Sequence, residues 1–199
     1  MKNTVPPLLQ RFWRTARPWL VSLGLVLILR YVGVLGAISN VTGALMLKTG
    51  LMDASVEAPP VLHEFSYDFM LEDMNGNLID VRQLRGRTLF INLWATWCGP
   101  CRVEMPSIEA LYKHTDTSRV VFLMISVDDF EQRDRVRKFI ADKDFTFPAY
   151  MPTGALPTLL QVRSIPTTMI VAPDGKVVVR ESGLANYNTR RFQEFLETL

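Results

Sequence analysis

Two cysteines and two histidines are all that this chain of 199 residues carries. So small a stock closes off several chemistries. A structural zinc site needs about four ligands, and no second cysteine pair or His-x-x-x-His run stands near the first pair. His63 and His114 have no partner motif and read as surface residues. Covalent haem attachment asks for histidine directly after the second cysteine, and Arg102 stands there instead. Charge of one sign is missing too. The net charge is +2, and from Val56 onward 16 Lys and Arg face 19 Asp and Glu. That mildly acidic balance gives no support for nucleic-acid binding. The run Arg133-Asp134-Arg135-Val136-Arg137-Lys138 mixes signs as a solvated helix face does. No internal repeat is evident, and neither a metal nor another cofactor is expected.

What the chain does have is the placement of its cysteines. They sit together as Trp97-Cys98-Gly99-Pro100-Cys101. The run Thr88–Leu93 before them reads as a buried strand, and Arg102–Lys113 after them as a helix. Pro106, inside that helix, removes the bond to the carbonyl of Arg102 and should kink it. Two sulfurs one turn apart at a helix start form a dithiol that can close and reopen, and the first sits where the helix dipole favours a thiolate. A purely structural bridge between Cys98 and Cys101 closes a very short loop and removes little entropy from the unfolded chain. Strand, Cys-x-x-Cys and helix in this order is the context of a redox site.

The N-terminal part differs in kind. Lys2, Arg11, Arg14 and Arg17 precede Pro18 with no acidic residue among them. Trp19–Ile38 then carries one charge, Arg30, and twelve Leu, Ile or Val. About 20 apolar residues cross a bilayer, so 1–18 is read as a basic cytoplasmic tail and 19–38 as a retained anchor. Arg30 can snorkel toward the far interface, and the basic flank keeps the N-terminus inside. The alternative is a cleaved signal peptide with Leu20–Leu29 as apolar core and Val34-Leu35-Gly36 as cleavage site. Either reading exports the C-terminal part, in a bacterium to the periplasm. Residues 39–60 read as a linker and 61–199 as the exported domain.

In that domain strands and helices alternate. Tyr67–Leu71 and Leu78–Val81 flank the turn Asn75-Gly76-Asn77. Val120–Val127 reads as a buried parallel strand. Phe130–Lys143 has helical spacing, with Val136, Phe139 and Ile140 on one face. Phe147–Met151 reads as a short strand and Leu156–Val162 as a short helix with Pro157 in its first turn. Thr167–Ala172 and Lys176–Arg180 form a hairpin around Pro173-Asp174-Gly175. Asn188–Leu199 is amphipathic and caps the sheet.

From about Phe65 to Leu199 these features together resemble the TlpA/ResA-like branch of the thioredoxin superfamily, the membrane-anchored extracytoplasmic thioredoxins. Four stretches carry the resemblance: the string Asn92 to Pro106 around the cysteines, the hairpin Leu71 to Gly76, the loop Ser164-Ile165-Pro166-Thr167-Thr168, and the added material between Phe130 and Val162. The resemblance implies an α/β thioredoxin-like fold, a central mixed sheet flanked by helices, with an N-terminal hairpin and a central insertion. It implies that Pro166 is cis and lies against the cysteines, where its loop, with Ile165 and Thr167, offers backbone groups to an extended substrate. An ordinary turn before a strand is the plainer reading of Pro166. The resemblance also places Glu104 beside the site as a tuner of cysteine pKa or a proton acceptor. A helix-surface carboxylate is the plainer reading there. Where general thioredoxins carry a buried aspartate, this chain has Asn92, which cannot ionise.

The mechanism expected of these residues is dithiol exchange. Cys98 is the nucleophile and Cys101 the resolving thiol. Pro100 suits the first helical turn, and Gly99 keeps the sulfur accessible. Trp97 borders the sulfur and shapes substrate contact, and Trp94 belongs to the core or the site edge. The reading is an anchored oxidoreductase that reduces disulfides on exported proteins. By resemblance it is fed by a membrane electron donor of the CcdA or DsbD type, with apocytochrome c as one substrate class. The same residues run in reverse serve an oxidant or isomerase. A peroxide-reducing enzyme is disfavoured, because the first cysteine lacks a peroxidase-type setting. A non-catalytic binding module would use Pro166 and Trp97 to hold a partner, and the intact cysteines argue against it.

Overall fold

In a computed structural model of the chain, the residues described are 7–31, 43, 45–47, 49–50, 52–57 and 63–199. They fall into two compact units, Met1–Thr42 and Gly43–Leu199.

The first unit holds one helix, α1, Pro7–Tyr31, which continues through Pro18. The Ser22 hydroxyl donates to the Pro18 carbonyl at 2.9 Å. Helix therefore reaches back into the stretch read as a tail. No helix among the described residues is long and apolar enough to cross a membrane. The physical reason is the order of residues in α1. Its first turns carry Arg11, Arg14 and Arg17, and the apolar run starts only at Trp19. The rest of the expected anchor, from 32 to 38, lies outside the described residues, as does the candidate cleavage site.

The second unit is built on a seven-stranded sheet. Its strands are β1 (Met70–Asp73), β2 (Leu78–Asp80), β3 (Thr88–Trp94), β4 (Val120–Ser126), β5 (Ala149–Pro152), β6 (Thr167–Val171) and β7 (Val177–Ser182), in the order β2-β1-β5-β4-β3-β6-β7. The helices are α2 (Gly99–His114), α3 (Arg133–Asp142) and α4 (Arg190–Glu197). The sheet is mixed, as expected: β4 runs parallel to β3 and β5, while β6, β7, β1 and β2 pair antiparallel with their neighbours. The N-terminal hairpin turns at Gly76, whose φ of +90° suits glycine. It joins the sheet through β5, which the central insertion supplies. Arg133 of the insertion pairs with Glu72 of the hairpin.

β3 lies inside the sheet between β4 and β6 and is buried along its whole length. Alternation sends Phe90 and Trp94 to one face and Leu89, Ile91 and Leu93 to the other. The first pair packs with Met105, Ile108 and Leu111 of α2, Val136 of α3, and Phe192 and Leu196 of α4. The opposite face is covered by Phe65, Tyr67, Val81 and Leu160. The amphipathic C-terminal stretch forms α4 as expected, with the Thr189 side chain accepting from Phe192 N.

Two expectations change. The helix after the cysteines begins at Gly99 rather than Arg102, because Cys98 itself is the N-cap; it continues through Pro106 to His114. The helix expected over Leu156–Val162 shrinks to a 3-10 turn, Thr158–Leu160. Pro157 stands at its N-cap and only Leu160 and Gln161 find i−3 carbonyls, so no α-helical ladder starts. Residues 52–55, within the stretch read as linker, hydrogen-bond to the folded domain through Ala54 and Asn186.

Phe192 is fully buried against Phe90 and Tyr187, with ring centroids 6.3 and 5.3 Å away. Phe192→Ala is expected to cost about 3–5 kcal/mol of stability in denaturant unfolding, since the sheet blocks collapse of the space left.

Candidate functional site: a capped dithiol over a buried carboxyl

β3 delivers the chain to the sheet edge at Trp94, and α2 begins five residues later. Cys98 and Cys101 are joined as a disulfide in that junction. Cys98 Sγ accepts from Cys101 N at 3.2 Å, so the sulfur occupies the position of a helix N-cap acceptor. Free amides and the helix dipole there stabilise negative charge on sulfur once the bridge opens. Cys98 retains 5% of its surface and Cys101 none. Cys98 is therefore the sulfur a substrate can reach, and Cys101 the one that only Cys98 can.

The loop ahead of Cys98 is held by Asp128, which follows β4. Its carboxylate accepts from Thr96 N at 2.8 Å, from the Thr96 hydroxyl at 2.7 Å and from the Ser126 hydroxyl at 2.7 Å. The Trp97 side chain stands outside this clamp, 62% exposed, while Trp94 is fully buried as core. The second loop at the site carries the cis peptide Ile165-Pro166. The Ile165 carbonyl oxygen lies 3.9 Å from Cys98 Sγ. Thr167, buried, donates its hydroxyl to Ser164 O at 2.8 Å and begins β6. Pro100 occupies the first helical turn, and a Cβ at Gly99 would meet nothing within 4 Å, so the space before the sulfur is open.

Glu104 is fully buried, and the surface-carboxylate reading is thereby corrected: position 104 of α2 faces the sheet, not water. Its Oε1 accepts from Asn92 Nδ2 at 2.8 Å and its Oε2 from Ala185 N at 3.3 Å. Asn92 also donates to the Thr168 hydroxyl at 2.9 Å. Burial pushes the Glu104 carboxyl up to about 8, with the Glu181 charge acting in the same direction and the two hydrogen bonds opposing. At neutral pH this side chain holds its proton. The phenol of Tyr187, also buried, is raised well above its ordinary value, first by burial and then by the Glu104 charge. His63 and His114 are exposed and take no part.

The AhpC/TSA family matches residues 63–180, more than half of the chain. The chain belongs to the AhpC/TSA family. Within it the likeness is to ResA. Thiol-disulfide oxidoreductase ResA of Bacillus subtilis (strain 168) is 35% identical over 112 residues, 56% of this chain and 62% of the relative. ResA of Halalkalibacterium halodurans is 29% identical over 136 residues, 67% of this chain and 76% of the relative. The match to the first relative thus spans less than two-thirds of its length. The crystal structure of StoA from Bacillus subtilis superposes with a TM-score of 0.54 at 22% identity, over 69% of this chain and 98% of that one, a likeness of fold. The dithiol domain is similar to that of thiol-disulfide oxidoreductase ResA.

In this AhpC/TSA domain the structure gathers Trp97, Cys98, Gly99, Pro100, Cys101, Ile165, Pro166 and Thr167 at one edge of the sheet, with Glu104 beneath. Sequence reading missed Asp128, Thr96, Thr168, Ala185 and Tyr187. Asp128 had a faint signal, a carboxylate just past the end of a buried strand. Nothing in the sequence pairs the backbone of Ala185 with a helix eighty-one residues away.

Two outcomes are expected. A carboxyl whose folded pKa is raised stabilises the fold fully below its ordinary 4.5, and that contribution is lost as pH rises through about 8. The stability of the native chain should therefore fall relative to Glu104→Gln across that window, by several kcal/mol at most, in denaturant unfolding of the oxidised protein; a constant difference would mean an ordinary carboxyl. Asp128→Ala strands buried donors at about 1–3 kcal/mol each. It should lower the melting temperature and raise the exchange rate of the Thr96 amide.

Proposed function

We propose that the chain is an extracytoplasmic, membrane-anchored reductase of disulfides on exported proteins, with apocytochrome c among its substrates. The observation that supports it best is the asymmetry of the dithiol: one capped, reachable sulfur and one buried sulfur, beside the carbonyl of Ile165. An extended substrate lying along Ile165–Thr167 offers its disulfide to Cys98. The Cys98 thiolate attacks one substrate sulfur, the substrate S–S bond breaks, and the departing thiolate takes a proton. The Cys101 thiolate then attacks Cys98 Sγ, the intramolecular bridge forms, and the second substrate thiolate leaves and is protonated. Two electrons pass from the dithiol to the substrate. The departing substrate thiolate is the group that can take the Cys101 proton at neutral pH. Glu104, one turn past Cys101 on the same helix, is a proton donor there and becomes an acceptor only as pH rises through about 8, a part Asn92 cannot play. Turnover needs a donor dithiol at the membrane, of the CcdA or DsbD type.

Anchoring is supported by the basic residues before Pro18 and the apolar run that follows. Trp19, Leu23 and Leu27 of α1 stand more than half exposed, as side chains meant for lipid do. Alkaline carbonate extraction tests it: the full-length chain stays with the membrane, and its release would leave the exported-soluble reading.

The direction of exchange is read from the midpoint potential of Cys98–Cys101 in dithiothreitol buffers. A value below about −230 mV, on the thioredoxin and glutaredoxin side, supports a donor-fed reductase, and one above about −180 mV supports an oxidant or isomerase. Cys98→Ser should abolish insulin reduction, and Cys101→Ser should accumulate the mixed disulfide. Full activity of Cys98→Ser would overturn the reading.

A further inference from the structure

Residues 52–55 precede the family-matched stretch 63–180, and residues 184–187 follow it. The fold brings these two outlying pieces together. Ala54 N donates to Asn186 O at 2.9 Å, and Asn186 N donates to Met52 O at 2.7 Å, a parallel bridge between Asp53 and Asn186. Asn186 Nδ2 adds a bond to Asp53 Oδ1 at 3.0 Å. Ser55 N donates to Glu181 Oε2 at 3.3 Å. Ala54 is 5% exposed and shares the packed cluster of Cys98, Cys101, Met105, Ala185 and Tyr187.

The other edge of the 184–187 loop faces α2. Ala185 N donates to Glu104 Oε2, and Tyr187 N donates to the Ser107 hydroxyl at 3.3 Å. The loop is therefore held from two sides, by α2 and by residues 52–55. We propose that residues 52–55 are a positioning strap of the redox site: by pairing with Asn186 they hold Ala185 and Tyr187 against Glu104 and keep water from its carboxyl.

The argument is one of solvent access. The groups that face Glu104 are Asn92 from β3, Thr168 from β6, Glu181 from β7, Tyr187 from the loop, and Cys101 on its own helix. Of these only Glu181 carries a charge in the oxidised protein at neutral pH, and it repels a carboxylate. Nothing cationic among the described residues compensates the ion, so Glu104 stays protonated as long as water stays out. The loop belongs to no sheet, and its backbone partner on the outer side among the described residues is the strap. Glu181 ties the strap to the same site, since its carboxylate accepts from Ser55 N while repelling charge on Glu104. A strap released lets water reach the carboxyl, and Glu104 then gives up its proton at lower pH.

The inference rests on the dithiol-exchange reading for its effect on rate. It is tested without substrate, on the oxidised full-length chain in detergent, so its failure is distinct from failure of that reading. Ala54→Pro removes the N–H that Asn186 O accepts. The double variant Asp53→Ala, Asn186→Ala removes the Asp53–Asn186 side-chain bond, and with it the bond from Asn188 N to Asn186 Oδ1, and spares Ala54. Amide hydrogen exchange at position 186 reports release of the strap, and carbon-13 NMR of the labelled Glu104 carboxyl reports its titration. At least tenfold faster exchange is expected for Ala54→Pro, with the Glu104 midpoint falling by a unit or more from about 8, and a smaller change of the same sign in the double variant. Faster exchange with an unmoved Glu104 midpoint would overturn the proposal. Unchanged exchange in both variants would overturn it as well, because the proposal has these bonds holding the loop.

Discussion

A carboxyl buried beneath a dithiol is the constraint around which this domain is arranged. Glu104 cannot be charged in an apolar interior at ordinary cost, since among the described residues no cation stands near it. The structure accepts a neutral acid instead and meets it with two uncharged donors, Ala185 N from the loop after β7 and Asn92 from β3, whose amide also donates to the Thr168 hydroxyl. An aspartate at position 92 would put a second acid against the first. Asn92 can donate to Glu104, which a carboxylate cannot do, so the exchange of acid for amide on β3 and the presence of the acid on α2 are two halves of one solution.

That arrangement divides the labour between the two sulfurs. Cys98 is governed from outside, by the helix N-terminus and by the loop that Asp128 clamps. Cys101 is governed from inside, one turn above Glu104. The electrostatic means differ accordingly. The helix dipole bears on Cys98 at a partly open surface, whereas Cys101 is buried one turn from the proton-holding carboxyl of Glu104 on the same helix. Thiol exchange needs both thiolates in sequence rather than together, and separate control of the two suits that need.

Much of the fold was legible in the sequence, and each legible element had a local cause. Thr88–Trp94 is a mostly apolar run, broken inside only by Asn92, too short for a helix and flanked by turn residues, and it is the buried strand β3. Asn75-Gly76-Asn77 forces a turn whose glycine adopts a positive φ. Phe192 and Leu196 share one face of a helix at i and i+4. Where reading failed, the deciding bonds were not local. Leu156–Val162 has helical spacing but starts at a proline and ends near a cis peptide. Residues 52–55 have linker composition and pair with a segment far along the chain.

By itself the sequence determined the chemistry. Two cysteines three positions apart, between a buried strand and a helix, admit dithiol exchange and little else, because thiol reactivity depends on neighbours close in the chain. Only the tertiary structure decided how that chemistry is tuned. Whether Glu104 faces water or the sheet, which loop covers it, and which carboxylate clamps Thr96 depend on contacts between elements thirty to eighty residues apart. Burial sets proton affinity, and burial belongs to the assembled sheet and helices rather than to any stretch of residues alone.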